Sequence, residues 1–308
     1  MKPSFLEPPS LPNVPPIESP FYEETIGDIT LNAHQRRIAD DLHKKGYAII
    51  QFPDEEIDAR AERLIETLSP EFDIEGWRTK GWKTQEGLRL QDAWDRLDDV
   101  RAIATNNRIL NILSRIYGRQ AFAFQTLNFP VGTQQRAHSD AVHFSSVPER
   151  FMVGVWVALE DIGPDQGPLL YYPGSHKWPM IRNEMVDEVY AGDPQAAANH
   201  RYREYIRYWQ AMAREQGVEP EYFHAKKGQA LIWSANLLHG GSAHKDPTKT
   251  RWSQVTHYYF QGCTYYVPRM SDSTVGHLHL KKPVDVATGK PIPHTYLGKP
   301  LKEIDPRG

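Results

Sequence analysis

The chain has 308 residues, 40% of them hydrophobic, enough to fill the core of one large domain. Its 36 basic and 39 acidic residues give a formal charge of -3, and no long run of either sign suggests nucleic acid or an anionic membrane as a partner. A single cysteine, Cys263, excludes an internal disulfide and fits a reducing, cytoplasmic setting.

Seven prolines in the first twenty residues, with no apolar run, read as an extended arm over 1–20 rather than a secretory signal. No later window has the length of a membrane span. Residues 21–308 are then expected to form one domain. NAHQRRIADDLHKK, from Asn32, spaces Ile38 and Leu42 for a helix stopped by Gly46, and YAIIQF reads as a buried strand. DEEIDARAERLIETL puts Ile57, Ala61, Leu64 and Leu68 on one helical side, and residues 89–117 carry two more helical patterns.

From Gln120 the character changes. AFAFQTLNF, MVGVWVAL, GPLLYY, QALIWS, SQVTHYYF and CTYYV are short, aromatic or β-branched, and bounded by Gly, Pro or Asn. The expectation is a mainly β body over 120–267, a two-sheet jelly roll or barrel with the early helices packed on one sheet. A helical insert over 179–225, dense in Tyr, Trp and Arg, interrupts it as a wall or lid, or as an outer buttress. Residues 268–308 read as a wrapping tail.

Within this body QRAHSDAVHF carries His138 and Asp140 two apart, so both side chains leave one strand face about 6.6 Å apart along the strand. With 13 histidines and 39 acids in the chain, about one or two His-x-acid pairs are expected by chance. There is indeed a second, His244 and Asp246, whose neighbours Pro247 and His257 suggest a solvated turn instead. The first pair is favoured by His239, about a hundred residues on, just after an apolar strand. Two His and one carboxylate cover one face of an octahedral ion and leave three positions for a cosubstrate and O2, which suits Fe(II); zinc in a hydrolase is the chemical competitor. Arg251, twelve residues after His239, separates the two, because a buried guanidinium needs an anion and its fork matches the far carboxylate of 2-oxoglutarate.

AHSDAVHF, GVWVALEDIGPDQGPLLYYPGSHK and LLHGGSAH with TRWSQVTHYYF together resemble the phytanoyl-CoA dioxygenase family of Fe(II)- and 2-oxoglutarate-dependent oxygenases. The resemblance runs from about Gln120 to Phe260. It implies a double-stranded β-helix core, cupin-like, with His138, Asp140 and His239 as iron ligands and Arg251 as the 2-oxoglutarate anchor. It also implies that Ser253 shares that carboxylate, that Trp156 lines its pocket, and that Gln125, Thr126 and Asn128 offer polar contacts. Asp140, where related halogenases carry a small residue, points to hydroxylation. A strand reading turns His143 to the opposite face from His138, from where it reaches the substrate only if the chain bends after Ala141. His176 reads as structural. Arg136, His143, Tyr171, Arg203 and Arg207 are the candidates for holding a small polar or anionic substrate, sugar-like molecules included. A non-catalytic ligand-binding jelly roll and a zinc-dependent hydrolase or isomerase are the rival readings.

Overall fold

A computed structural model describes residues 11–81, 88–186 and 194–301. Residues 1–10 of the expected arm, 187–193 of the expected insert and 302–308 of the tail lie outside the described residues. From Leu11 the arm is not extended: Pro16–Glu18 form a 3-10 turn, Ile17 is buried in the core, and Asn13 accepts from Arg119 at 2.8 Å.

The front half runs α1 (Tyr22–Gly27), α2 (Ala33–Lys45), β1 (Tyr47–Gln51), α3 (Ile57–Leu68), α4 (Ile74–Gly76), β2 (Leu90–Gln91), α5 (Asp98–Ala104) and α6 (Asn107–Tyr117). The boundaries of α2 follow from side-chain chemistry. Asn32 and Gln35 form a reciprocal capping box at its start, and Gly46, at φ 83°, closes its end by donating to the Leu42 carbonyl. A side chain at Gly46 would also meet His176, whose Nδ1 would lie 2.5 Å from its Cβ.

The β body follows as β3 (Ala121–Phe129), β4 (Ser145–Val147), β5 (Met152–Ala158), β6 (Leu169–Tyr171), β7 (Glu221–Phe223), β8 (Gln229–Ser234), β9 (His239–Gly241), β10 (Ser253–Phe260) and β11 (Thr264–Tyr266). Between β6 and β7 stand α7 (Asn183–Val186) and α8 (Pro194–Glu215). The expected insert is thus not helical to its end, because the aromatic EYF segment pairs with β6 as β7. The tail forms two hairpins, β12 (Val284–Asp285) with β13 (Lys290–Pro291) and β14 (Thr295–Tyr296) with β15 (Lys299–Pro300). Val286 docks the first of them on β3 through the Ala123 carbonyl.

The main sheet has the order β1-β8-β5-β10-β3-β2, with every pairing antiparallel. A smaller sheet, β7-β6-β9, faces it, and β4 pairs with β11. Strand alternation sends Val153, Val155, Val157, Ala230 and Ile232 toward the helices, where they meet Ile38, Leu42, Leu64 and Ile103. The opposite faces of the same strands send Trp156, Leu231, Trp233 and Val255 against Tyr171 and Phe223 of the small sheet. Each large side chain so buried contributes roughly 1.5–3 kcal/mol. The helices therefore close one face of the main sheet, and the space between the sheets is left for the site. Among the described residues no helix is long and apolar enough to cross a membrane.

Candidate metal centre

His138 and His239 face each other across an isolated antiparallel bridge that extends the small sheet, each donating its backbone N–H to the other's carbonyl at 2.8 and 3.0 Å. Each ring donates from Nδ1 to a carbonyl two residues earlier, His138 to Arg136 and His239 to Leu237, both at 3.0 Å. A carbonyl can only accept, so both Nδ1 atoms carry the proton and both Nε2 lone pairs are left for a ligand. Those Nε2 atoms lie 3.5 and 3.6 Å from the two Asp140 oxygens. One ligand atom from each of the three residues falls within 4.8 Å of the others, the one such cluster among the described residues. Burial and the neighbouring His138 push His239 down to about 4, so its imidazole is neutral at pH 7, the form that coordinates.

Asp140 is held from behind. Trp233 Nε1 donates to its Oδ2 at 2.9 Å, and His257 Nε2 stands 3.5 Å from the same oxygen. Burial alone would raise the Asp140 carboxyl, but the imidazoles of His239, His138 and His257 around it hold it well below the usual carboxylate range. The Trp233 indole reaches Asp140 across Gly154, its register partner on β5, where a Cβ would sit 2.1 Å from indole Cζ2. Gly154 is needed for space, not for a turn.

The cluster opens on a cavity of about 450 Å³. Arg251, 2% exposed, lines it; its Nη1 donates to Ser253 at 3.3 Å, its Nε has no acceptor, and its guanidinium stands over the Trp156 ring at 5.5 Å. Burial pushes this guanidinium down to about 10, still charged at pH 7. Trp156 and Gln125 line the same cavity.

Several expected contacts fall elsewhere. Thr126 and Asn128 alternate away from Gln125 onto the helix side of β3, where Asn128 bonds Gln254, which in turn bonds the Val100 carbonyl of α5. Ser253 is fully buried and braces Arg251 rather than lining the cavity. Arg136, Arg203 and Arg207 are exposed, the last paired with Glu204. Tyr171 packs on Tyr47 between the sheets, at 4.3 Å between centroids. His143 does enter the cavity, because Asp140–Val142 is a 3-10 turn and not a strand, so the two-residue alternation fails there. His176 donates to the His43 carbonyl at the end of α2, a structural place. His244 turns its ring to the Asp246 backbone carbonyl, not to the carboxylate, and is buried against Trp77 rather than solvated.

Sequence reading missed Trp233, Arg269 and His257 as cavity residues. His257 was findable: it stands six residues after Arg251, on the same face as Val255 of β10.

A mainly β fold with a cavity, two imidazoles, one carboxylate and a buried, partly unpaired arginine defines a metal-site protein of the oxygenase type. A profile of the phytanoyl-CoA dioxygenase (PhyH) family matches residues 42–251, and the chain belongs to that family. Among solved structures it is similar to the non-heme α-ketoglutarate-dependent carbocyclase SnoK from nogalamycin biosynthesis, at 17% identity over 85% of this chain and 94% of that one, TM-score 0.56. The epimerase SnoN of the same biosynthesis gives 19% identity over 80% and 90%, TM-score 0.53. EctD from S. alaskensis, solved with 2-oxoglutarate and 5-hydroxyectoine, gives 16% over 86% and 83%, TM-score 0.51. No curated protein matches the chain.

Proposed function

We propose that this protein is an Fe(II)- and 2-oxoglutarate-dependent dioxygenase that hydroxylates a C–H bond of a small polar or anionic metabolite, on a double-stranded β-helix core. The observation that carries the reading is the pairing of a three-ligand cluster, His138, Asp140 and His239, with a buried Arg251 whose Nε has no acceptor, on one cavity. The donor set fits the ion: two imidazoles and one carboxylate suit Fe(II) and leave part of its coordination sphere to other ligands.

Bound together, Fe(II) and 2-oxoglutarate supply the oxidising chemistry, in which O2 is consumed, 2-oxoglutarate leaves as succinate and CO2, and the substrate gains a hydroxyl. The residues of the chain place the reactants. Arg251, steadied by Ser253 and by the face of Trp156, would hold the distal carboxylate of 2-oxoglutarate. Trp233 fixes Asp140 and thereby the direction of its remaining oxygen. Tyr202 and Asn199 of α8 wall the cavity, which supports the lid reading of the insert. SnoK and SnoN carry out cyclisation and epimerisation, so the fate of the oxidised carbon is set by what the pocket holds beside it.

Protein loaded with Fe(II), given 2-oxoglutarate and O2, is expected to release succinate. His138→Ala and Asp140→Ala should each reduce that release at least a hundredfold. Full succinate release by either variant contradicts the assignment.

A further inference from the structure

We infer that the substrate carries an oxyanion, a carboxylate or phosphate, and that Arg269 is the residue that binds it. The inference rests on the dioxygenase reading and adds to it the chemical class of the substrate.

Arg269 lines the same cavity as the metal cluster but comes from a different part of the chain, the 3-10 turn Pro268–Met270 that follows β11. This turn packs against α8 and against the Asp140–Val142 turn. It is held firmly: Asn183, itself buried, donates from Nδ2 to the carbonyls of Pro268 and Ser271, at 3.1 and 2.6 Å, while Tyr205 donates to its Oδ1. Ser271 adds a bond to the Val267 carbonyl at 2.8 Å. A side chain carried on so clamped a turn is pre-organised.

Its guanidinium is nevertheless unmet. Arg269 Nε is buried without an acceptor, and among the described residues no hydrogen bond or ion pair reaches the side chain. Asp272, three residues on, is engaged by Arg201 at 3.7 Å and lies 3.5 Å from Asn183 Nδ2. A buried donor left without a partner is costly, and a guanidinium is the group best shaped to grip a planar or tetrahedral oxyanion.

Charge balance points the same way. Among the described residues, Asp140 is the one acid lining the cavity, against three cations, Arg89, Arg251 and Arg269. A divalent ion and the dianion of 2-oxoglutarate cancel, and Asp140 cancels Arg251. Arg269 and the exposed Arg89 keep their charge, so the cavity stays net positive and favours a further anion. Arg203 and Arg207 of the helical insert face solvent, and Arg201 is engaged by Asp272.

The test uses full-length protein loaded with Mn(II) and saturating 2-oxoglutarate, titrated separately with acetate and with methyl phosphate by calorimetry. Wild type should bind one of the two saturably, and the one bound tells carboxylate from phosphate. Arg269→Gln should weaken that binding at least tenfold, and Arg269→Lys should recover part of it. Under anaerobic Fe(II), both variants should keep the visible band of the Fe(II)–2-oxoglutarate complex, which shows that they are folded and that Arg251 holds the cosubstrate. Equal anion binding by Arg269→Gln, no saturable binding of either probe by wild type, or loss of the 2-oxoglutarate band in both variants overturns the inference. If wild type itself shows no such band, the dioxygenase reading falls, and the inference with it.

Discussion

The Asp140 carboxylate meets Trp233 at 2.9 Å, the shortest of its polar contacts with His138, His239, His257 and Trp233. An aspartate with one oxygen fixed by an indole has a single rotamer to offer a cation, and the loss of such outer partners typically costs 10–100-fold in metal affinity. Trp233→Phe keeps the ring over Gly154 but removes the donor. Its Mn(II) dissociation constant, measured calorimetrically without 2-oxoglutarate, should rise about tenfold; an unchanged constant would show that Trp233 only packs. This contact was not legible in the sequence, where Trp233 is one aromatic among many in QALIWS. The cluster of His138, Asp140 and His239 was legible through company rather than spacing, since the His-x-Asp pair stood out only beside His239 and Arg251. Thr126 and Asn128 were misplaced for a simple reason: only every second residue of β3 faces the cavity, and Gln125 had already taken that face.

At the scale of elements, two short turns decide where side chains go. The Asp140–Val142 turn rotates His143 into the cavity, and periodicity cannot foretell a 3-10 turn of three residues inside an apparently extended segment. The Ser175–Lys177 turn instead ties the sheets to the front helices, since His176 donates to the His43 carbonyl beneath Gly46. Burial pushes His176 down to about 4 from an ordinary value of 6.5. The neutral ring is therefore the folded form, and its stabilisation is complete above pH 6.5 and lost as the pH falls toward 4, a loss of about 3 kcal/mol. Urea midpoints should fall between pH 7 and pH 4.5 in the wild type, and fall distinctly less in His176→Gln. Parallel slopes in the two proteins would show that His176 contributes nothing to the acid sensitivity. The helices and strands themselves were largely readable, because α2, α3 and α6 keep apolar spacing, α2 and α6 are capped, and β3, β5, β8 and β10 are β-branched and aromatic. The short strand β7 fell inside the expected insert because it lies only five residues past a 22-residue helix and has only three residues of its own.

At the scale of the molecule, the site exists only because two sheets meet. The bridge between His138 and His239 belongs to the small sheet, whereas Trp156, Trp233 and His257 belong to the main one and Arg251 leads directly into it. Helices cover the other face of the main sheet, so the inter-sheet space is the place where a cavity can open among polar side chains. The sequence suggested this layering through its change of character at Gln120, but the strand order and the clamp on the Arg269 turn depend on contacts between distant segments. The central claim is that residues from both sheets hold one ion and one cosubstrate together. Its most direct test is the anaerobic absorption spectrum of the protein with Fe(II) and 2-oxoglutarate. The account predicts a visible charge-transfer band in the wild type, absent in His138→Ala and Asp140→Ala, and reached in Arg251→Gln only at 2-oxoglutarate concentrations at least tenfold higher. No band in the wild type, or an undiminished band in either ligand variant, would contradict it.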